Sequence, residues 1–370
     1  MSTPSDFKSQ VSGTSVKALA RHLAKDDPSF PTRAFVRRAT RGLDALELKA
    51  RITHVADALA ASLDEPFVES AARIRAACDV DDEPAWSVFL FWPLCTFIER
   101  HGLEHFDVAF ETMHGLTRLA SCEFAVRPFI EREPERAFER LAVWVTDDDL
   151  HVRRLVSEGT RPRLPWGGRL RALQADPTPS LALLDRLHDD SELFVRRSVA
   201  NHLNDIAKDH PDLAVEVAGG WQEQRPGVAD TEWVVRHAMR SLVKRGHAGA
   251  LALQGFGSPA VSLESFAVSP RRLRFGSSLK LHLELRAEAD GAWMVDYAVH
   301  HVKANGRLTP KVFKWTRRAV KKGDLLVLDK THSIRAISTR RYHAGVHRCE
   351  VLVNGQSLAT DDFELVDVPA

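Results

Sequence analysis

The chain has little cysteine: Cys78, Cys95, Cys122 and Cys349 are its four, scattered without a CxxC pair or metal-ligand spacing. Three of them stand among helix formers, where buried free thiols are expected, and a reduced, cytoplasmic protein follows. The seventeen histidines are equally dispersed. The adjacent pair His300-His301 falls in a predicted strand that would send its rings to opposite faces, so no structural metal site and no cofactor is expected. No apolar run reaches about 18 residues, which excludes a transmembrane helix. The N-terminal MSTPSDFKSQVSGTS lacks the apolar centre of a secretory signal, and residues 1–14 read as a flexible leader. Net charge is nearly absent as well, at +1. Its distribution is uneven, however. From Pro259 onward 18 Lys and Arg face 12 Asp and Glu, a balance of +6, which leaves −5 upstream. The basic excess therefore lies in the C-terminal part, and global neutrality does not argue against a polyanionic partner.

What is present is 44% hydrophobic and 27% charged residues in 370, the composition of a globular protein too long for one ordinary core. From about Ser15 to Gly249 the apolar residues recur with helical period. Val16, Leu19, Ala20 and Leu23 share one face, and the stretch from Arg51 to Leu63 is a clear amphipathic helix. The stretch from Trp86 to Gly102 reads as a buried core helix that Pro93 kinks or interrupts.

An internal repeat then emerges. Asp147-x4-Val152-Arg153, Asp190-x4-Val195-Arg196 and Asp230-x4-Val235-Arg236 share D-x4-V-R at spacings of 43 and 40 residues, within the range of HEAT and armadillo repeats. The aspartate suits a turn or N-cap before the second helix of each pair, the valine packs inward, and the arginine braces a neighbouring repeat. Fainter copies occur at Phe35–Arg38 and Phe124–Arg127. Helix pairs of this kind bury their apolar faces only by stacking into a solenoid.

The texture changes at Gly255. The segment 255–262 reads as a linker, and residues 263–370 alternate in short strands: Leu279–Leu285, Trp293–Val302, Lys311–Thr316, Asp324–Asp329, His347–Val353 and Asp362–Val366. Asn305-Gly306 and Asn354-Gly355 are type I′ hairpin signals. About seven strands in this length is the rhythm of an immunoglobulin-like sandwich, with Tyr342 placed for a tyrosine corner. The expected architecture is thus multidomain: an all-α HEAT-like repeat solenoid over 15–254, then an all-β immunoglobulin-like sandwich.

Aligning the repeats makes Glu158 and Asn201 equivalent, each five residues past its arginine. Asp205 lies one turn beyond Asn201, so Glu158, Asn201 and Asp205 are expected to face one region. On spacing alone the readier alternative is that they are solvated or helix-pairing positions, the usual fate of charged helix residues. Arg153, Arg154, Arg161, Arg163, Arg169, Arg171, Arg196 and Arg197 surround them, and could hold a phosphate backbone or brace repeats. Trp166, in the Pro/Gly-rich segment Arg161–Gly168, is either a packing plug or a platform for a planar ligand.

The segments Ser121–Ile130, Val152–Trp166 (VRRLVSEGTRPRLPW) and Val195–Ile206 (VRRSVANHLNDI) resemble the AlkC branch of the AlkC/AlkD alkylpurine DNA glycosylases. The stretch His332–Tyr342 resembles the immunoglobulin-like extension that some members carry, and the likeness runs over almost the whole chain from about residue 15. It implies excision of cationic N-alkylated bases, such as 3-methyladenine and 3-methylcytosine, from duplex DNA by a monofunctional glycosylase without a deep base pocket. It also implies active-site roles for Glu158 and Asp205, with Glu123 a third acid, and contact of Trp166 with the deoxyribose of the lesion. No metal or cofactor enters this chemistry, because a base bearing an extra alkyl group is already cationic and leaves without a general acid. The carboxylates stabilise the oxocarbenium-like sugar and direct water to it.

On this reading the basic β domain clamps the DNA, through Arg317, Arg318, Arg340 and Arg341, with Lys321-Lys322 as well placed on an ordinary solvated edge. No lysine stands beside the acidic cluster in the reading of the sequence, so no lyase step is expected. A monomer is the default. Two other readings remain: a non-catalytic HEAT module that binds distorted or branched DNA, and a protein-binding HEAT adaptor. Carboxylates that face phosphates weaken binding, which favours chemistry over the former, and the basic C-terminal part counts against the latter.

Overall fold

The repeat pattern in the sequence becomes stacked helices, and the alternating pattern becomes two sheets. A computed structural model describes residues 4–78, 87–338 and 340–369, so Trp86 of the apolar stretch lies outside the described residues. Seventeen α-helices among them precede eight strands. None of these helices is long and apolar enough to cross a membrane. The chain divides into two compact units, residues 1–209 with 224–238, and residues 210–223 with 239–370.

In the first unit local sequence fixes the helix ends. Ser12 and Ser15 form a reciprocal capping box that starts Gly13–Leu23, and this helix buries Val16, Leu19, Ala20 and Leu23, as its spacing predicts. The leader expected over 1–14 is in its described part a helix, Pro4–Ser9. The cause is packing: Phe7 stacks on Phe89, and Val11 is fully buried. The helix Val88–His101 runs through Pro93 without ending there. Further along, the Leu150–Gly159 helix packs on Leu193–Ile206, which packs on Ala229–Ala238.

The D-x4-V-R repeat resolves into a ladder. Val152, Val195 and Val235 are buried. The first two aspartates shape the turn before the helix: Asp147 Oδ1 accepts from the Asp149 amide (2.9 Å) and Asp190 Oδ1 from the Glu192 amide (2.8 Å). Each arginine then reaches the aspartate of the next copy, Arg153 to Asp190 (2.6 Å) and Arg196 to Asp230 (2.8 Å). One motif thus encodes both a turn and the contact between successive repeats.

In the second unit the strands are β1 (Val261–Ser269), β2 (Arg272–Arg274), β3 (Ser278–Ala287), β4 (Gly291–Val302), β5 (Leu308–Val320), β6 (Leu325–Ser333), β7 (Gly345–Val353) and β8 (Gln356–Val366). They form sheets of order β1-β3-β6 and β2-β8-β7-β4-β5. Inward residues of both sheets, among them Leu279, Leu281, Tyr297, Val299, Cys349 and Phe363, share a core. β1 and β2 escape a reading by alternation, and β1 begins inside the segment 255–262 expected as linker.

Asn354 and Gly355 both adopt left-handed backbone (φ 46° and 76°), as a type I′ turn requires. The Asn354 side chain accepts from the Met294 amide (2.8 Å) and donates to the Gly257 carbonyl (2.7 Å). The Asn305-Gly306 turn is not of that type: only Gly306 takes positive φ, and a Lys303–Arg307 closure makes a wider loop. His300 and His301 do face opposite ways, His300 to Glu350 (2.7 Å) and His301 into a buried cluster with His347 and Tyr342. Tyr342 is buried with its ring against Phe275 and His301, while the tyrosine hydroxyl that bonds inside this core is that of Tyr297, to His332 Nδ1 (3.0 Å).

Candidate active site

Three carboxylates and three cations meet in one chain of ion pairs in the helical unit. Asp149 starts the Leu150–Gly159 helix by accepting from the amides of His151 (2.7 Å) and Val152 (3.3 Å). Glu158 stands in the last turn of that helix, and Gly159 follows because a Cβ there would lie 2.6 Å from Val126 Cγ1. Asp205 stands in the last turn of Leu193–Ile206. Arg161, just beyond the first helix, joins the two acids. Its Nη1 donates to Glu158 Oε1 (2.8 Å), and its Nε and Nη2 reach Asp205 Oδ2 (2.9 and 2.8 Å). Arg154 extends the chain, from Glu158 Oε1 (3.6 Å) to Glu123 Oε2 (2.8 Å). At the other end Lys208 Nζ donates to Asp205 Oδ1 (2.7 Å).

Burial sets the electrostatics. Glu158 and Asp205 are 6% and 3% exposed, and Arg161 is equally buried. Burial works against the Arg161 charge, yet the carboxylates of Glu158 and Asp205 raise its pKa above the ordinary arginine value. Ser198 Oγ donates to Glu158 Oε2 (2.6 Å), which fixes that carboxylate from the second helix. Beneath them, burial pulls Arg127 down to about 10. Its guanidinium donates to the carbonyls of Gly159 (2.9 Å), Arg161 (2.8 Å) and Gly168, so it ties down both ends of the loop that carries Trp166. His202 is fully buried with Nδ1 2.9 Å from the Ser157 carbonyl, and burial lowers it to about 3, so it is neutral.

Trp166 is presented by strain. Its backbone lies in the left-handed region (φ 66°), at a cost of about 1–2 kcal/mol for a residue with a Cβ. Lys49 Nζ binds its carbonyl, and its ring lies parallel to Trp92 at 6.3 Å with Phe7 edge-on at 6.0 Å. Even so, 54% of Trp166 is exposed. Next to it Trp92, Phe124, Thr96, Glu99 and Arg127 line a cavity of about 340 Å³. Among the described residues no group of three or more His, Cys, Asp or Glu side chains is arranged to hold a metal ion.

The structure brings Glu158, Asp205 and Glu123 into one network but turns Asn201 elsewhere, with Oδ1 3.2 Å from His237 Nε2. The arginines divide. Arg161 and Arg154 hold the acids. Arg153 and Arg196 take the bracing role of the two left open by the sequence, because each also donates to backbone carbonyls of its own repeat. Arg163 pairs with Asp209 (2.6 Å), while Arg169 and Arg197 are exposed. In the β unit Arg317, Arg318 and Arg341 are exposed, the first over the Phe256 ring, and Arg340 binds His301 Nε2.

The expectation that no lysine adjoins the acids is also corrected. Lys208 is three residues past Asp205, and its backbone turns back on the helix end with the amide 3.2 Å from the Asp205 carbonyl. Arg127 was foreshadowed by the faint repeat copy at Phe124–Arg127. Nothing in the spacing singles out Ser198 or Trp92.

The chain matches two family models: the DNA alkylation repair enzyme family over residues 120–242, and the C-terminal Ig-like domain described for the uncharacterised protein YhaZ over 262–367. An uncharacterized protein YhaZ of Bacillus subtilis (strain 168) is 33% identical over 364 residues, covering 97% of this chain and 99% of its own. Among solved structures, Pseudomonas fluorescens alkylpurine DNA glycosylase AlkC, bound to DNA containing an abasic site analog, is 34% identical. That match has a TM-score of 0.83 and covers 97% of this chain and 99% of the other.

Proposed function

This chain belongs to the AlkC-type alkylpurine DNA glycosylases, and from that premise we propose that it excises cationic N-alkylated bases, such as 3-methyladenine and 3-methylcytosine, from duplex DNA. The observation that carries the proposal is the pair Glu158 and Asp205, held by one guanidinium beside the exposed, strained Trp166. An alkylated base leaves as a neutral molecule, so the enzyme has only to stabilise positive charge on the sugar and supply water. Carboxylates do both, and where water is displaced their attraction for a developing cation is stronger than in solution. Arg161 bridges both acids and fixes their spacing. The exposed Trp166 face adds attraction for a cationic sugar or base of about 0.5–2 kcal/mol.

The remaining assignments follow from which side chains are exposed. Arg169 and Arg197 on the helical unit, and Arg317, Arg318 and Arg341 on the β unit, are available for phosphates. The protein acts as a monomer on this reading.

One observation favours a second reading. Glu158 and Asp205 are nearly buried and fully partnered, as acids of a purely structural network would be, which suits a module that binds distorted DNA without chemistry. Base release separates the two. Wild-type protein is expected to release 3-methyladenine from methylated DNA without added metal or nucleotide. Asp205→Asn is expected to lower the single-turnover rate by about 10²–10³-fold, with duplex binding retained. DNA binding by the wild type with no released base would establish the second reading instead.

A further inference from the structure

The two acids assigned to catalysis share a difficulty: at 3–6% exposure neither can touch a sugar as it stands. Something must leave before a substrate arrives, and the partners are not equally free to go. Arg161 is buried and bound to both carboxylates at three atoms. Ser198 is buried inside the helix that carries Asp205. Arg154 is held by Glu123 and Ser121 and lies over the Phe194 ring. Lys208 differs from them all. Its side chain is 43% exposed, and it sits beyond the end of its helix. Its one ion pair among the described residues is with Asp205 Oδ1, the oxygen that Arg161 does not use.

An exposed ammonium on a flexible stem is cheap to move, whereas the planar, bridged guanidinium is not. The balance of charge points the same way. Glu123, Glu158 and Asp205 against Arg154, Arg161 and Lys208 is formally neutral. Adding a cationic ligand while retaining Lys208 would place two positive groups at one oxygen. Exchanging them keeps the cluster neutral.

We propose that the Lys208 ammonium is a resident counter-ion on Asp205 that the cationic substrate displaces, so that Lys208 sets the selectivity of the site for positive charge. This rests on the glycosylase reading above. A neutral group at the site gains nothing from Asp205 and leaves Lys208 in place. A cationic sugar or alkylated base takes over Asp205 Oδ1, and the lysine swings to solvent. Lys208 thereby occupies Asp205 until a cation arrives, at the cost of some affinity for the cation itself. It is a specificity-determining residue and not a reacting one, and no bond forms to its nitrogen.

The test compares two duplexes that differ only in charge at one position: one holds a cationic pyrrolidine in place of the sugar, the other an uncharged tetrahydrofuran. For the full-length Lys208→Met protein, binding of the pyrrolidine duplex is expected to tighten by roughly three- to tenfold, with tetrahydrofuran binding within about twofold of wild type. Lys208→Arg is expected to restore the wild-type ratio. If Lys208 merely contacts a phosphate, both duplexes weaken together. If it merely positions Asp205, the pyrrolidine duplex weakens selectively. Either result overturns the proposal, as does an unchanged ratio. Release of 3-methyladenine by the wild type is measured alongside. Its absence would count against the glycosylase reading, whereas an unchanged ratio with an active wild type would count against Lys208 alone. Thermal unfolding of the variants confirms that the exposed position leaves the fold intact.

Discussion

Arginine–carboxylate pairs do different work in the repeat ladder and in the acidic cluster. Arg153 and Arg196 in the ladder each take one aspartate of the next repeat and also donate to two carbonyls of their own turn. In the cluster, Arg161 has no carbonyl partner among its described bonds and is shared between two acids. A guanidinium tied to backbone carbonyls of its own repeat fixes geometry. One shared between carboxylates leaves each acid an oxygen for another partner, Ser198 in one case and Lys208 in the other. Both settings are built on arginine–carboxylate pairs; the partners left to the acids separate a brace from a site.

Four measurements would break or sharpen that contrast. Arg161→Met removes the buried cation shared by two buried carboxylates and is expected to cost about 3–5 kcal/mol in urea unfolding. A loss below about 1 kcal/mol would mean that the acids are already hydrated and the cluster is not buried in solution. The β unit offers a buried polar cluster without carboxylates, and it should fail in acid. Burial lowers His301 to about 3 and His332 to about 4. The unfolded chain takes up protons near pH 6.5 while the folded one refuses them, so stability is full above that pH and falls as pH drops toward 4 and 3. Between pH 6.5 and 5 the loss is about 2 kcal/mol for each histidine, and His301→Phe should remove its share from urea titrations at the two pH values.

Arg153→Met comes next, at about 1–2 kcal/mol of stability, with base release within about threefold of wild type when assayed well below the melting temperature. A hundredfold loss of release would show that the ladder belongs to the site. Smallest is Trp166→Ala. Removing the exposed ring is expected to slow release by about 3- to 30-fold, and it relieves none of the ladder pairs. An unchanged rate would make Trp166 a packing plug, as its contacts with Trp92 and Phe7 alone would allow.

Much of this was legible before the fold was known, for reasons that can be named. The D-x4-V-R copies place residues at fixed angles around successive helices. Aligning them brings Glu158 near Asp205 because a stacked repeat preserves its register. Asn201 obeys the same arithmetic but is turned to His237, since a neighbouring helix offers it a partner that the repeat does not encode. Lys208 was overlooked for a different cause: a residue just past a helix end has no fixed angle until the chain turns. β1 escaped because partial burial on both faces erases alternation, and β2 because its three residues are too short a run to show it.

The sequence by itself determined the two architectures, the repeat, the type I′ turn at Asn354-Gly355 and the residue types of the site, because each rests on periodicity or on local backbone chemistry. Tertiary structure alone decided which arginines brace and which hold acids. It also decided that Trp166 stands on a left-handed backbone, and that Asp205 carries Lys208 on one oxygen. Those outcomes depend on burial and on the partners that remain after packing, and neither is a property of a residue's neighbours along the chain.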